Sequence, residues 1–272
     1  MRAKTLGVGL VVCVAAAVHA SSDSVTFNGL QHPSNATIIS ASGVTGSFYA
    51  DTLIFNAAGP DVAAIWGSNP SANFDTVCGD LFHDITYPPA ETYGATFVDS
   101  ISFSGTSSSG ASASGVQHAG SIVGYVGALA AGSGGAAGNL ATLDNTEAAA
   151  LQIAVWEALY DTDSPTGLTQ ANFFTDLTNG TFDVTTTSVL KTGSAYTTLF
   201  NDAYAYYTSG YGAGDNAVFI EAQHSGTKYQ DQFALVPGGP GNRVSGTPEP
   251  FTMTLALAGI GLFFRRRSVR SS

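Results

Sequence analysis

One segment specifies the centre of this protein: Thr146-Glu147-Ala148-Ala149-Ala150-Leu151-Gln152-Ile153-Ala154-Val155-Trp156-Glu157-Ala158-Leu159-Tyr160. Its apolar residues Ala148, Leu151, Val155 and Leu159 recur at the spacing of one buried stripe on an α-helix. Asp144 precedes the segment, and Glu147 follows Asp144 by three residues. This arrangement is typical of a capping box, in which two side chains satisfy the free amide groups of a first helical turn. The sequence therefore predicts a buried helix that starts after Asp144 and ends at Tyr160.

Gln152 lies on the buried stripe of this helix, beside Val155, Trp156 and Leu159, because each helical residue advances by about 100°. A primary amide placed in an apolar layer loses its hydrogen bonds to water, which is unfavourable unless another group replaces them. We therefore expect Gln152 to have a specific partner elsewhere in the chain.

Cys78 is the candidate for that partner. It lies in the strand-like segment Phe74-Asp75-Thr76-Val77-Cys78-Gly79-Asp80-Leu81-Phe82-His83-Asp84-Ile85. The other cysteine, Cys13, belongs to an N-terminal run with the features of a cleaved signal peptide. Cys78 is then alone in the mature chain and cannot form an internal disulfide. A lone thiol in an exported protein indicates either pairing between molecules or special chemistry.

A Cys-x-Asp strand segment followed by a helix of the form Φ-Gln-x-Ala-Φ-Trp, where Φ is apolar, resembles the thioester domains of bacterial surface proteins. The resemblance covers roughly residues 73–161. It implies that the sulfur of Cys78 and the side-chain carbonyl carbon of Gln152 join as an internal thioester with loss of ammonia. Asp80 completes the strand motif, and Ala154, Val155 and Trp156 complete the helix motif.

The chemistry of such a pair follows from proximity. A thiol held against a carboxamide gains an effective molarity of about 10⁵ M or more over a free encounter. Because water hydrolyses thioesters, the bond needs an apolar cover. Trp156, one turn from Gln152, and Phe82, on the strand face of Cys78, are the candidate shielding residues. An incoming amine or hydroxyl would attack the Gln152 carbonyl carbon and release the Cys78 thiol.

The sequence pattern of residues 21–236 as a whole predicts one α+β domain. We expect a β-rich sandwich or barrel-like body with a few helices. Turn-forming clusters separate short runs rich in β-branched and aromatic residues, the spacing of a β-rich domain. The predicted strands are Ser24–Phe27, Thr37–Ser40, Ser47–Phe55, Asp61–Trp66, Thr76–Thr86, Thr96–Phe103, Ser121–Val126, Ala217–Ala222 and Tyr229–Val236. A second helix is predicted over Ser188–Tyr207. The Gly/Ser/Ala-rich tracts Ser104–Gly115 and Gly127–Gly138 are predicted to be exposed loops.

The charge distribution excludes one class of partner. The chain has 272 residues and a formal net charge of −11. Residues 21–247 contain three basic residues, Lys191, Lys228 and Arg243, against nineteen acidic ones. Because nucleic-acid affinity needs several cations that neutralise phosphates, we expect no binding of DNA or RNA.

Both ends of the chain carry export signals. Residues 1–20 have a basic start, an apolar run and a small residue, Ala20, at the predicted cleavage site, which is typical of a signal peptide read by signal peptidase. After a linker at residues 237–247, residues 248–272 contain three parts in order: Pro248-Glu249-Pro250, an apolar run and Arg265-Arg266-Arg267. The apolar run of fourteen residues spans roughly 21 Å as a helix, short of the roughly 30 Å hydrocarbon core. The order of these parts resembles the PEP-CTERM sorting signal of Gram-negative bacteria.

That resemblance implies that an exosortase recognises Pro248-Glu249-Pro250 and removes the apolar tail. Until then the tail would hold the chain in the membrane, with Arg265, Arg266 and Arg267 on the cytoplasmic side. We therefore expect secretion across the inner membrane, and a final location in the cell envelope, on the cell surface or in the extracellular matrix.

Other functions are less well supported by the sequence. His83 lies five residues after Cys78, which places the two on opposite faces of a strand and argues against a Cys-His hydrolase. The chain has no ligand spacing for zinc, and Asp80, Asp161 and Asp163 lack the other ligands of a calcium loop. We therefore expect no enzyme activity, no metal and no cofactor.

Two interpretations remain. In the first, the protein attaches covalently, through Cys78 and Gln152, to an amine or hydroxyl on a surface or matrix. In the second, Cys78 is a small buried apolar residue and Gln152 bonds to strand backbone. The protein would then be a passive structural or carbohydrate-binding component of the exopolymer layer.

Overall fold

The structure is a computed structural model that describes residues 23–32, 37–41, 48–66, 74–81, 92–132, 140–161, 165–179, 182, 184–187, 194–213, 217–224, 227–228 and 230–235. The predicted signal peptide, linker and sorting signal lie outside these residues. So do Phe82 and the sorting residues Pro248, Glu249, Pro250, Arg265, Arg266 and Arg267.

Ten strands and five α-helices occur within the described residues. The strands are β1 (Ser24–Leu30), β2 (Thr37–Ala41), β3 (Phe48–Ala50), β4 (Leu53–Ala58), β5 (Phe74–Cys78), β6 (Thr92–Asp99), β7 (Val184–Thr187), β8 (Val218–His224), β9 (Thr227–Lys228) and β10 (Gln232–Ala234). The helices are α1 (Pro60–Trp66), α2 (Ala113–Gly132), α3 (Asn145–Tyr160), α4 (Gln170–Asn179) and α5 (Ser194–Gly210). None of the helices in this part of the chain combines the length and apolar character needed to cross a bilayer.

Six strands form a closed antiparallel barrel in the order β10-β5-β4-β1-β6-β8, and β8 pairs back onto β10. Closure leaves no free edge among these six strands, because every one has two neighbours. The short strand β9 extends β8, and a separate three-stranded sheet has the order β3-β2-β7. This architecture is the barrel-like form of the α+β fold that the sequence predicts.

The helix α3 lies between α2, α5 and the strands β2, β3 and β5. Every residue from Ala148 to Leu159 is buried. The sequence predicted one buried stripe, but neighbours on several sides bury this helix all round. Because a helix buried on all faces can hold its side chains in single positions, α3 is a rigid platform for Gln152.

Two predicted strands are wrong. Asp61–Trp66 belongs to the helix α1, which begins at Pro60, and Ser121–Val126 lies inside the helix α2. Both are short apolar runs, for which periodicity alone does not separate a strand from a buried helix. The helix α4 was not predicted at all.

The predicted loops are also partly wrong, because α2 begins at Ala113 and extends through Gly132. Small residues let this helix approach its neighbours closely. A Cβ built on Gly115 would lie 3.1 Å from the Leu159 carbonyl oxygen of α3. A Cβ on Gly127 would lie 2.5 Å from a methyl group of Leu235. Gly115 and Gly127, which belong to the tracts predicted to be exposed loops, are therefore packing residues.

Several predicted elements have different bounds. The strand predicted over Ser47–Phe55 is observed as the two strands β3 and β4, and the strand predicted over Thr96–Phe103 is observed as β6, which begins at Thr92 and ends at Asp99. The strand predicted over Thr76–Thr86 is observed as β5, which begins at Phe74 and ends at Cys78, and residues 82–86 lie outside the described part of the chain. The helix predicted over Ser188–Tyr207 is observed as α5, Ser194–Gly210, and residues 188–193 likewise lie outside it.

Candidate functional site

The start of α3 is held by the predicted capping box, which the structure confirms. Asp144 Oδ1 accepts hydrogen bonds from the amide nitrogens of Thr146 at 2.8 Å and Glu147 at 2.9 Å. In return, Glu147 Oε2 accepts a hydrogen bond from the Asp144 amide nitrogen at 2.9 Å. These bonds satisfy donors of the first turn and set the position at which the helix begins.

The structure brings Gln152 of α3 onto Cys78, the last residue of β5. The Cys78 amide nitrogen donates to Gln152 Oε1 at 2.9 Å, and Gln152 Nε2 donates to the Cys78 carbonyl oxygen at 2.7 Å. The carboxamide therefore makes one bond with each of its two polar atoms to a single residue. Both residues are sealed from solvent, with exposed fractions of 0% for Gln152 and 3% for Cys78.

The position of these bonds follows from the sheet. The pairing of β4 with β5 begins at Leu53, opposite Thr76, so β4 provides no partner opposite Cys78. The side-chain amide of Gln152 presents a donor and an acceptor as a peptide group does. It therefore supplies the hydrogen bonds that a longer β4 would have made to Cys78.

The thiol of Cys78 is neutral at physiological pH. Its sulfur donates to the Asp80 carbonyl oxygen at 2.8 Å and accepts from the Asp80 amide nitrogen at 3.4 Å. Burial raises the pKa of the Cys78 thiol well above its usual range, and this effect exceeds the opposing hydrogen bonds from the Asp80 backbone and the Trp156 side chain. The site therefore holds an uncharged thiol beside an uncharged carboxamide.

Trp156 and Tyr160 follow Gln152 at intervals of four residues, so the three side chains share one side of α3. Trp156 is 1% exposed and packs edge-on against Phe182. Tyr160 Oη accepts a hydrogen bond from the Leu81 amide nitrogen at 3.2 Å. The helix thus contacts the segment around Cys78 at two residues, Cys78 itself and Leu81.

Of the other predicted site residues, Asp80, Ala154 and Val155 are buried, and Phe82 lies outside the described residues. Asp80 has no exposed surface, and its carbonyl oxygen also accepts a hydrogen bond from Gln230 Nε2 at 3.1 Å. Ala154 and Val155 are completely buried in the body of α3. Phe82, the second candidate shielding residue, lies outside the described residues, as does His83.

Several residues near Cys78 were not anticipated from the sequence. Gln232 of β10 stands opposite Cys78 and accepts a hydrogen bond from the Thr76 hydroxyl at 2.9 Å. The neighbouring residue Asp231 accepts a hydrogen bond at its carbonyl oxygen from the Gly79 amide nitrogen at 2.7 Å. These residues are more than 150 positions from Cys78, and no sequence pattern connects them. Tyr160 could have been identified from the sequence, because it follows Gln152 and Trp156 at the four-residue spacing of one helix face.

Asp231 is a buried carboxyl group. Ser108 Oγ donates to Asp231 Oδ1 at 2.7 Å, and the Ser109 amide nitrogen donates to Oδ2 at 3.3 Å. Burial raises the pKa of Asp231 to about 7; the charges of Asp80 and Glu221 act in the same direction, and the hydrogen bond from Ser108 opposes them. Asp231 therefore titrates near neutral pH beside the Cys78 strand.

Metal-ligand clusters are absent from the described residues: no group of three or more His, Cys, Asp or Glu side chains there has the geometry to hold a metal ion. Asp163, one of the three carboxylates considered for calcium, lies outside them.

The fold and the site define a protein with a closed six-stranded antiparallel barrel, against which a helix presents a glutamine amide to a buried cysteine. No family model matches the chain, and no curated protein matches it. Among solved structures, the chain has distant similarity to the N-terminal thioester domain of fibronectin-binding protein SfbI from Streptococcus pyogenes. That similarity covers 75% of this chain and 96% of the other, with 14% sequence identity and a TM-score of 0.38.

Proposed function

We propose that this protein is an exported, non-enzymatic surface or matrix protein that attaches covalently to its partner through a thioester between Cys78 and Gln152. One observation carries the proposal: the Gln152 carboxamide makes two hydrogen bonds to the backbone of the residue that provides the buried thiol. The carbonyl carbon of Gln152 is bonded to both of these polar atoms. It is therefore held beside the backbone of Cys78, the residue that carries the sulfur.

Formation of the bond needs no external reactant. The Cys78 sulfur attacks the carbonyl carbon of Gln152, the C–N bond of the amide breaks, and the thiol proton leaves with the nitrogen as ammonia. The barrier falls because a fixed geometry replaces the encounter of two free molecules. α3 and β5 provide that geometry, since both reacting residues are buried in regular elements.

Capture of a partner opens the thioester. An amine or hydroxyl attacks the same carbon, a new amide or ester bond forms at Gln152, and the C–S bond breaks to return a thiol at Cys78. Burial of the pair under Trp156 limits attack by water before the partner arrives. Each molecule reacts once, so the protein acts as an adhesive and not as a catalyst.

Delivery to the envelope is a second part of the proposal. Residues 1–20 would direct export, and an exosortase would process the chain at Pro248-Glu249-Pro250 after Arg265, Arg266 and Arg267 had retained its tail in the inner membrane. Support comes from the order and spacing of the terminal segments. A surface or matrix location would place the thioester where foreign amines and hydroxyls are available.

The alternative is a passive structural or carbohydrate-binding component without covalent chemistry. The same two hydrogen bonds favour it. They provide a partner for each polar atom of the buried Gln152 carboxamide, which is sufficient for a purely structural role. The two functions make different predictions for the mass of the protein.

Intact mass spectrometry of the purified chain tests the proposal. We expect a mass lower by one ammonia than the sequence requires, and the deficit should be absent from Cys78→Ala and from Gln152→Ala. Methylamine should convert the bonded form to an adduct on Gln152 and expose one free thiol. An unmodified mass with a thiol that is alkylated stoichiometrically after unfolding would contradict the proposal and favour the passive role.

A further inference from the structure

The carbonyl oxygen of Asp80 accepts hydrogen bonds from two side chains that are remote from each other in sequence. The Cys78 thiol donates to it at 2.8 Å, and Gln230 Nε2 donates to it at 3.1 Å. Asp80 has no exposed surface. Because two donors that share one oxygen draw on the same electron density, each bond is weaker than it would be alone. The thiol and the Gln230 amide therefore compete for this acceptor.

Gln230 is the last member of a chain of polar side chains. The Thr76 hydroxyl donates to Gln232 Oε1 at 2.9 Å, and Gln232 Nε2 donates to Gln230 Oε1 at 3.3 Å. With the bond from Gln230 to Asp80, all three hydrogen bonds run in one direction, so each polarises the next. The chain starts two residues before Cys78 and ends two residues after it. It makes Gln230 a stronger donor at the Asp80 carbonyl oxygen.

Formation of a thioester would remove one of the two donors. The thiol proton leaves with the ammonia, so the Cys78 sulfur has no proton left to donate to the Asp80 carbonyl oxygen. Gln230 Nε2 remains as a donor to that oxygen and no longer competes with the thiol. The hydrogen bond between Gln230 and Asp80 is therefore stronger in the bonded form than in the open form.

We propose that Gln230, supported by Gln232 and Thr76, is a positioning residue that stabilises the bonded form by holding the Asp80 carbonyl when the Cys78 thiol has lost its proton. This inference rests on the proposed thioester. Gln230 acts through the Asp80 backbone and not on the reacting atoms. A contact that is stronger in one of two states shifts the equilibrium toward that state, so Gln230 favours the thioester over its opened product.

The first test measures how fast the thioester opens. Methylamine at one fixed concentration attacks the Gln152 carbonyl carbon, the C–S bond breaks, and one proton moves from the amine nitrogen to sulfur. Intact mass follows the gain of methylamine by the full chain, after its ammonia deficit has been verified. Gln230→Met retains the length of the side chain and removes its donor. It should open about 2- to 10-fold faster than the wild type, the effect of one hydrogen bond.

Gln117→Met is the matched control for this measurement. Gln117 lies on α2, is half-buried like Gln230, and donates through Nε2 to the Phe103 carbonyl oxygen at 3.1 Å. It therefore loses the same kind of hydrogen bond at another place in the fold, and its rate of opening should equal that of the wild type. Equal rates for Gln230→Met and the wild type would overturn the inference, as would equal acceleration by Gln117→Met.

The second test separates positioning from a merely structural role, without the cross-link. Cys78→Ser retains a hydroxyl donor for the Asp80 carbonyl and represents the open form, whereas Cys78→Ala has no donor and represents the bonded form. Gln230→Met should lower the urea midpoint of unfolding more in the Cys78→Ala background than in the Cys78→Ser background. Equal shifts in the two backgrounds would show a structural role alone and overturn the inference.

Thr76→Val keeps the inference falsifiable if Gln230→Met does not fold or forms no thioester. It removes the first donor of the chain, leaves Gln230 in place, and should accelerate opening by a smaller factor than the loss of Gln230. An unchanged rate in Thr76→Val would then overturn the inference. An absent ammonia deficit in the wild type is a different failure, because it removes the thioester itself.

Discussion

Gln152 satisfies two buried backbone groups as well as its own amide. The amide nitrogen and carbonyl oxygen of Cys78 lie at the end of β5, beyond the pairing with β4, and their described partners are Gln152 Oε1 and Nε2. A side chain of a different shape or chemistry would leave these groups without hydrogen bonds. This structural role is complete only in the unbonded form, because thioester formation removes Gln152 Nε2 as ammonia.

Replacement of Gln152 by Ala should therefore destabilise the fold even where no thioester is possible. In a Cys78→Ala background, we expect Gln152→Ala to lower the free energy of unfolding by about 2–5 kcal/mol, from two unsatisfied backbone groups and a cavity. Urea unfolding followed by circular dichroism measures the change. Gln170→Ala, at an exposed position of α4, is the control and should stay within about 0.5 kcal/mol. Equal effects at both positions would contradict this role of Gln152.

Among the elements, α2 shows how small side chains set distances. Its glycines lie where other parts of the chain approach the helix: Gly115 against α3, Gly120 against Ser100, and Gly127 against Leu235. From the facing helix α5, Gly210 approaches Ile122, and an added Cβ there would lie 2.8 Å from the Ile122 Cα. Close packing of α2 fixes the positions of α3 and α5, and with them the position of Gln152.

A methyl group at Gly120 tests this packing. Gly120→Ala should lower the free energy of unfolding by about 1–3 kcal/mol, because the new Cβ would overlap the Ser100 side chain. Gly132→Ala, at the end of the same helix with open space around it, should be neutral or slightly stabilising. Thermal unfolding of both variants provides the comparison. A destabilisation at Gly132 as large as that at Gly120 would contradict the packing explanation.

At the scale of the whole molecule, the three residues of β10 close the barrel. They pair with β5 on one side and β8 on the other, and Phe233 packs against Phe219. Leu235, the next residue, accepts a hydrogen bond from the Trp66 indole nitrogen at 3.2 Å. Closure also places Asp231 and Gln232 beside Cys78, so the last strand completes both the barrel and the site.

Removal of β10 should therefore unfold the protein cooperatively. A chain that ends at Lys228 should lose its cooperative urea transition, because β5 and β8 lose their shared partner and Phe233 no longer fills its place. A chain that ends at Val236 should retain the transition. Fluorescence of Trp66 and Trp156 reports both outcomes. A cooperative transition in the shorter chain would show that the barrel is stable when open.

The site is predictable from the sequence where the signals are local. The capping residues Asp144 and Glu147 and the apolar periodicity of the helix lie within a few turns, and the structure confirms the start of α3 there. The need of Gln152 for a partner also follows from burial, and the structure provides that partner at Cys78. The thioester itself stays a prediction, because hydrogen-bonded proximity is common to both proposed functions.

The surroundings of the pair depend on contacts between distant parts of the chain. Asp231, Ser108 and Gln232 come to Cys78 only when the barrel closes, and Asp231 acquires its raised pKa only through burial beside Asp80 and Glu221. The helical state of α2 was likewise hidden, because its glycines are favourable only where neighbouring elements approach closely. Local sequence thus determined the helix that carries Gln152 and the chemistry available to it. Tertiary packing decided the accessibility and ionisation of that site, since both depend on groups that are remote in sequence.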